Sequence, residues 1–171
     1  MDRMELEKNK ALLERANRRQ GIDAEAVETL LTLQTALIDI NRTLEGFLAG
    51  YGLSQGRFAL LTLLMDHEEG LKPSFLADQA GVTRATITGL LDGLERDGLV
   101  KRVAGRSDKR SRLIKLTPVA HGLMEGVYNE YFRRISRWMG GVSGGGRRTL
   151  IGALSSVLDR MHAREDEPLP L

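Results

Sequence analysis

Residues 81–100 read GVTRATITGLLDGLERDGLV, and residues 101–118 continue as KRVAGRSDKRSRLIKLTP. In the first stretch Thr83 is placed to cap a helix that runs to Asp97 and that Gly98 ends. In the second, two segments of strand-like composition, 99–104 and 112–116, flank a basic tip that contains glycine. The two stretches predict a helix of the size that a DNA major groove admits, followed by a basic β-hairpin. The apolar face of the helix holds Ile87, Leu90, Leu91 and Leu94.

The residues before this stretch predict two shorter helices and a tight turn. Ser54 is a candidate N-cap for the first helix, which ends near residues 67–70. Pro73 suits the first turn of the second helix, 74–80, and Gly81 supplies the turn that a helix-turn-helix requires. The residues expected to face inward are Phe58, Leu60, Leu61, Leu64 and Met65 in the first helix and Phe75, Leu76 and Ala80 in the second.

The charge of the chain is concentrated in the hairpin. The whole sequence has a formal net charge of only +2. Residues 96–115 hold eight bases against two acids, a local charge of +6 that would attract a polyanion. A basic hairpin that is merely solvated is the alternative. With the helices before it, the hairpin predicts a mainly α fold: a winged helix-turn-helix with a small β-hairpin wing.

Long helices flank this core on both sides. Asp23 is a candidate N-cap for a helix to about residue 49, whose apolar residues cover more than one face and so predict burial on two sides. Thr117 and Pro118 begin a helix to about residue 139 with recurring aromatic residues, which are more typical of a core or an interface than of a cofactor site. Ser143 is a possible cap for the last helix. A second subunit would most simply cover the remaining apolar surface.

The chain therefore divides into five predicted parts. Residues 1–22 form an extra N-terminal helix that either packs on a partner chain or frays. Residues 23–52 are a dimerisation helix, 53–117 the winged helix-turn-helix DNA-binding domain, 118–164 the C-terminal dimerisation helices, and 165–171 a flexible tail.

The start of the helix after Gly81 holds the candidate DNA-reading residues. Threonine hydroxyls can bond bases or phosphates, threonine methyls can touch thymine methyls, and Arg84 can reach guanine or phosphate. Two glycines in this helix are either a tolerated weakness or a means of close approach to DNA. The candidates are Thr83, Arg84, Ala85, Thr86, Thr88 and Gly89 in the helix, with Arg106, Asp108, Lys109 and Arg110 in the hairpin tip.

Asp108 and Arg110 are spaced so that the carboxylate could orient the guanidinium toward a narrow minor groove. The alternative is an ordinary surface ion pair.

Several stretches resemble the MarR (multiple antibiotic resistance regulator) family of bacterial transcription factors. They are LADQAGVT (76–83), LLDGLERDGLV (90–100), SDKR (107–110) and LTP (116–118), and the resemblance spans about residues 23–163. It implies that Arg110 enters the minor groove, that Asp108 orients it, and that residues 83–88 read the major groove. It also implies a homodimer that represses transcription by occupying a pseudo-palindromic operator. Departures are Ser107 where proline is common, Ala120 where glycine is usual, and glycines at the start of the last helix.

The resemblance further implies a small amphipathic ligand, often an aromatic acid, that relieves DNA binding. We expect it between the dimer helices and the DNA-binding lobe. Candidate lining residues, which are polar or aromatic on the relevant helices, are Asn41, Phe58 and Tyr128. The extra N-terminal helix is similar to that of the urate-responsive branch, but no tryptophan lies near it, so urate is not carried over.

Other function classes find little support in the sequence. The three histidines lack metal-ligand spacing, and no nucleotide-binding loop or serine-nucleophile motif occurs. We therefore expect neither an enzyme nor a cofactor, nor a membrane partner. The absence of cysteine excludes disulfides and thiol chemistry, and a cytoplasmic location is expected. Two rivals are the N-terminal winged-helix domain of a small-molecule methyltransferase, which needs a nucleotide-binding βαβ unit, and a structural winged-helix module without specific DNA binding.

Overall fold

The computed structural model describes residues 3–104 and 112–164. Helices and a two-stranded sheet follow one another along the chain, and a short 3₁₀ turn, Met139–Gly141, separates the last two helices. The elements are α1 (Arg3–Asn17), α2 (Ala24–Ala49), α3 (Gln55–Met65), α4 (Pro73–Ala80), α5 (Arg84–Arg96), β1 (Val100–Ala104), β2 (Arg112–Leu116), α6 (Pro118–Trp138) and α7 (Gly144–Arg164). The predicted fold class, mainly α with a small hairpin wing, is confirmed.

Side-chain caps fix where the helices begin. Asp23 accepts a hydrogen bond from the backbone N–H of Ala26 at the start of α2 (3.0 Å), and Ser54 accepts one from Arg57 at the start of α3 (3.3 Å). Such caps satisfy backbone donors that have no partner inside the helix. The beginnings of these helices therefore lie where the sequence predicted them.

The turn between α4 and α5 is a left-handed glycine cap. Gly81 has φ +62°, and its N–H bonds back to the end of α4. Glycine adopts this conformation without steric cost, so α4 can end and α5 can begin with only three residues between them. The predicted helix-turn-helix is thus formed by α4, Gly81 and α5.

The wing contains a contact that the sequence did not reveal. β1 and β2 pair antiparallel from Val100↔Leu116 to Ala104↔Arg112. In addition Leu71, in the loop before α4, forms a bridge to Ile114: the two residues exchange backbone hydrogen bonds of 3.0 and 2.8 Å. The hairpin is therefore attached to the helical core along one edge.

The core of the first compact unit, residues 1–124, is apolar. Helix α3 contacts α4, α5 and β2, and no polar or charged side chain is buried in the described ranges 3–104 and 112–164. The prediction that Phe75 faces inward is wrong, because Phe75 is 42% exposed whereas Ala77 is buried. In the short helix α4 the buried face passes through Leu76 and Ala77, and Phe75 falls outside it. The buried side chains include Leu60, Leu61, Leu64, Leu76, Ile87, Leu91, Leu94 and Ile114.

Helix α1 packs on α2 of its own chain. The side chain of Ala16 is buried, and Asn9 Nδ2 donates a hydrogen bond to Thr35 Oγ1 (2.9 Å). The sequence left two alternatives for this segment, packing on a partner chain or fraying. The contact that the structure shows is a third one, within the same chain.

The second unit begins at residue 125, and its described part, residues 125–164, consists of helical segments with extensive exposed apolar surface. Tyr128 and Phe132 stack with their rings nearly parallel, 5.6 Å between centroids. None of the helices that the structure describes is long and apolar enough to cross a membrane. The exposed apolar side chains of this unit are Phe132, Trp138, Leu150, Ile151, Val157, Leu158 and Met161.

Candidate nucleic-acid interface

The first turn of α5 is held by hydrogen bonds among its own threonines. Thr83 Oγ1 accepts the backbone N–H of Thr86 (3.2 Å), as predicted for the cap, and lies 2.9 Å from Thr86 Oγ1. Thr88 Oγ1 donates to the carbonyl of Arg84 (2.8 Å). The hydroxyl hydrogen of Thr88 is thus engaged within the helix. What Thr88 offers to a partner is its methyl group and the remaining acceptor capacity of its oxygen.

This turn is solvent-exposed except for one anchor. Ile87 is only 1% exposed and packs into the core. All six helix residues that the sequence nominated for DNA contact are exposed, and α5 brings them together at one helix end; they are Thr83, Arg84, Ala85, Thr86, Thr88 and Gly89.

The two interior glycines of α5 are not required by packing within the chain. A Cβ atom built at Gly89 or at Gly93 would meet no heavy atom within 4 Å. Neither glycine has a positive φ. Internal crowding therefore does not explain them. Two explanations for these glycines stay open. Either they are a tolerated cost in helix stability, or they let DNA approach the helix closely, and only the presence of DNA would distinguish the two.

Arg102 on β1 is one of the eight bases counted in residues 96–115, but it is not a free cation. Its Nη2 lies 2.6 Å from Asp92 Oδ1, and its Nη1 pairs with Glu95 Oε2. The hydrogen bond to Asp92 raises the pKa of the Arg102 guanidinium further above its ordinary value, and Glu95 adds to the effect. The count began at residue 96 and omitted these two carboxylates. From 92 to 115 there are eight bases and four acids, a local charge of +4.

Two further contacts hold the lobe together, and neither has a signal in the linear sequence. Arg57 pairs with Asp97 at the end of α5 and donates to the carbonyl of Gly52 (3.0 Å). Lys115 Nζ lies 3.6 Å from Glu69 Oε2. The first pair joins residues 40 positions apart, which local patterns cannot detect.

The predicted contacts in the hairpin tip, Arg106, Asp108, Lys109 and Arg110, lie outside the described residues. The last described pair of the hairpin is Ala104↔Arg112. Their roles stay predictions.

The predicted ligand contacts are distributed over both units. Asn41 on α2 is exposed, and its carbonyl accepts a hydrogen bond from Gln55 Nε2 (3.4 Å). Phe58 on α3 and Tyr128 on α6 are half-buried. A groove of about 640 Å³ lies between α1 and α2, and none of the three residues lines it. The ligand site therefore stays a prediction.

An exposed helix start after a glycine turn, beside a basic hairpin, defines a winged helix-turn-helix DNA-binding protein. The sequence profile of the MarR family matches residues 53–111. The chain is also 36% identical over 167 residues to the HTH-type transcriptional repressor YetL of Bacillus subtilis (strain 168), covering 97% of this chain and 100% of the relative. The chain belongs to the MarR family of transcriptional regulators, and its relatives are named as regulators of transcription, not as enzymes.

Solved structures share the fold. The MepR–DNA complex of S. aureus superimposes with a TM-score of 0.65 at 19% identity, covering 77% of this chain and 94% of that one. CouR from Rhodococcus jostii RHA1, bound to p-coumaroyl-CoA, superimposes with a TM-score of 0.64 at 24% identity, covering 76% and 91%.

Proposed function

We propose that this regulator is a repressor that binds a pseudo-palindromic double-stranded operator as a homodimer. The observation that carries the proposal is the first turn of α5. It is exposed, capped by Thr83, and anchored from behind by the buried Ile87. A helix start presented in this way matches the recognition helix of helix-turn-helix proteins, whose N-terminal residues contact base edges.

Sequence reading by this helix would use methyl groups more than hydrogen bonds. The Thr88 hydroxyl hydrogen is already donated to Arg84, so the Thr88 methyl and the Ala85 methyl are suited to thymine methyls. Arg84 would contact guanine or a phosphate. Arg110 would enter the adjacent minor groove with Asp108 orienting it, and Arg106 and Lys109 would contact the backbone.

Dimerisation would place two such helices about one duplex turn apart, ~34 Å. Support comes from the apolar side chains that each unit leaves exposed when considered by itself, such as Leu37 and Ile40 on α2 and Ile151 and Leu158 on α7. Apolar surface of this extent is typical of an interface.

Repression and its relief are supported by the named relatives. YetL is named a repressor, and CouR has been solved with an aromatic thioester, p-coumaroyl-CoA. We propose that a small aromatic acid or its derivative is the effector and favours a conformation that does not fit the operator, with Asn41, Phe58 and Tyr128 as the candidate contacts predicted from the sequence. Such a ligand must bind that conformation more tightly, since otherwise it shifts nothing. A regulator of chromosomal DNA would work in the cytoplasm.

Selection of duplexes from a random library tests the function. We expect the wild-type protein to enrich an inverted repeat, and the recovered duplex to bind more tightly than a random duplex at every salt concentration. Arg110→Ala should weaken binding to the selected duplex at least about tenfold, because the homodimer loses one groove contact of about 1–3 kcal/mol in each half-site. Recovery of no preferred sequence would instead favour a structural winged-helix module.

The ligand is tested separately with a panel of aromatic acids. Compounds that raise the melting temperature are added to the complex with the selected duplex, and release is followed by fluorescence anisotropy. Binders that leave DNA affinity unchanged would contradict the regulatory part of the proposal and leave the DNA-binding part intact.

A further inference from the structure

Two carboxylates lie on α5, close to where DNA is proposed to bind. Asp92 is one helical turn beyond Thr88 and Gly89 and shares their side of the helix, and Glu95 follows it by three residues. The side chains of Asp92 and Glu95 are 49% and 38% exposed. Carboxylates near a phosphate backbone oppose binding unless a cation neutralises them.

Arg102 supplies that cation from the wing. Its guanidinium bridges the two carboxylates, with Nη2 2.6 Å from Asp92 Oδ1 and Nη1 on Glu95 Oε2. The backbone N–H of Arg102 also donates to Glu95 Oε1 (3.3 Å). The planar fork of arginine can satisfy two carboxylates at once, which the single ammonium of lysine does less well.

We infer that Arg102 is a positioning residue that locks the wing strand to the recognition helix and does not contact phosphate. This inference rests on the proposed DNA-binding function. Asp92 and Glu95 hold the arginine away from DNA, so its charge does not promote binding to arbitrary sequences. We call the three residues the Arg102 clamp.

The clamp has a physical advantage for selectivity. The helix and the hairpin address adjacent grooves, so their relative orientation decides whether both can fit one site. If the two elements moved independently, their ordering would cost free energy at each binding event. If the helix and the hairpin are already fixed in the free protein, this ordering free energy is not lost on binding. Only a site that fits both elements in the fixed orientation benefits.

The salt dependence of binding distinguishes positioning from phosphate contact. Each neutralised phosphate contributes about 0.9 to the slope of log affinity against log salt concentration. The decisive variant is Arg102→Met/Asp92→Asn, which removes the bridge and keeps the cluster's net charge, since one cation and one anion are lost together. It is compared with wild type on two probes: the duplex that wild type selects from a random library, and a random duplex of equal length.

For this variant we expect affinity for the selected duplex to fall about tenfold or more, the equivalent of at least about 1.4 kcal/mol. The salt slope and the affinity for the random duplex should not change. A slope lower by about 1.8, one phosphate for each protomer of the proposed dimer, would mean that Arg102 contacts a phosphate, and would overturn the inference. Unchanged affinity for the selected duplex would overturn it equally.

A second variant tests the clamp from the other side. Asp92→Asn/Glu95→Gln releases Arg102, and we expect tighter binding to the random duplex, a slope steeper by about 1.8 for the two protomers of a dimer, and lower selectivity. Asp66→Asn/Glu68→Gln, two exposed acids in the loop after α3, is the control with the same change in charge. Equal behaviour of the two acid variants would contradict the clamp. Failure of the wild-type protein to select any duplex would instead contradict the proposed function, and the clamp's role in DNA binding with it.

Discussion

Gly70 has the least room for a side chain among the glycines that the structure describes. Its φ is +84°, and a Cβ atom there would lie 2.6 Å from the carbonyl oxygen of Ile114. That carbonyl accepts the hydrogen bond from Leu71 that attaches the wing to the core. Gly70 therefore sets how closely the loop approaches the hairpin.

Gly70→Ala should lower the free energy of unfolding by about 1–3 kcal/mol from left-handed backbone strain, and by more because the new methyl group also clashes with its neighbours. Gly98→Ala is the matched control: it has φ +71° but no heavy atom within 4 Å of the new Cβ. Urea unfolding of both variants isolates the clash. Equal losses of stability in the two variants would show that the Leu71–Ile114 bridge shifts to accommodate the added methyl group.

Gly89 allows stability and DNA binding to be separated at one residue. Because the new Cβ of Gly89→Ala meets nothing within the chain, we expect a gain of up to about 1 kcal/mol in unfolding free energy from helix propensity. If the backbone of α5 approaches DNA closely here, affinity for the selected duplex should fall about tenfold, as for a lost base contact.

Gly93→Ala, one turn further along α5, serves as the control, with a similar gain in stability and a smaller loss of affinity. Unfolding curves and anisotropy titrations of the two variants give the comparison. Undiminished DNA binding by Gly89→Ala would favour the simpler view that glycine is a tolerated weakness in this helix.

At the scale of elements, Thr117 joins the wing to α6. Its Oγ1 accepts the backbone N–H of Ala120 (3.2 Å), capping the helix, and donates to the carbonyl of Gly98 (2.7 Å) at the end of α5. One hydroxyl just after β2 thus contacts both the turn after α5 and the first turn of α6.

Thr117→Val keeps the shape of the side chain and removes both hydrogen bonds. We expect a loss of about 1–3 kcal/mol, since a cap and a further hydrogen bond each contribute about 1 kcal/mol. Thr43→Val, where an exposed hydroxyl only bonds back to the carbonyl of Asp39, should change stability by less than about 0.5 kcal/mol. Thermal unfolding measures both, and similar shifts would rule out the special role of Thr117.

The elements could be predicted where the signals that bound them are local. Asp23, Ser54 and Thr83 cap their helices through bonds to residues three positions ahead, and Gly81 turns the chain by its own φ. These interactions depend on neighbouring residues, so composition and spacing reveal them.

The contacts between elements could not be predicted in the same way. Leu71 pairs with Ile114 across 43 positions of sequence, and Arg57 pairs with Asp97 across 40. The Arg102 clamp could not be predicted for a related reason. A charge count along the chain treats every arginine alike, whereas the three-dimensional arrangement decides which arginines are neutralised by carboxylates. The capped, exposed start of α5 followed from local pattern, but the pairing of the nearby acids Asp92 and Glu95 with Arg102 did not.

At the scale of the whole molecule, the exposed apolar side chains of α7 bear on the oligomeric state. Ile151 and Leu158 are 64% and 51% exposed and lie two helical turns apart on one side of the helix. If this side forms the dimer interface, glutamates there would bury unpaired charge.

Ile151→Glu/Leu158→Glu should therefore convert a dimer into a monomer, as measured by sedimentation equilibrium. Binding to the selected duplex should weaken at least about a hundredfold, because the two half-sites no longer act together. Ser156→Glu, on the opposite side of α7, is the control and should leave the dimer intact. A wild-type chain that sediments as a monomer would contradict the proposed assembly.

The exposure of the first turn of α5 has an evolutionary consequence. Ile87 alone in this turn carries the packing, while its neighbours from Thr83 to Gly89 are directed to solvent. Surface substitutions away from caps and cores change stability by only about 0.5 kcal/mol, so Arg84, Ala85 and Thr88 can be exchanged without loss of the fold. If this turn reads the operator as proposed, a duplicated gene could acquire a new target sequence by a few point mutations there, while inheriting unchanged the scaffold that presents it.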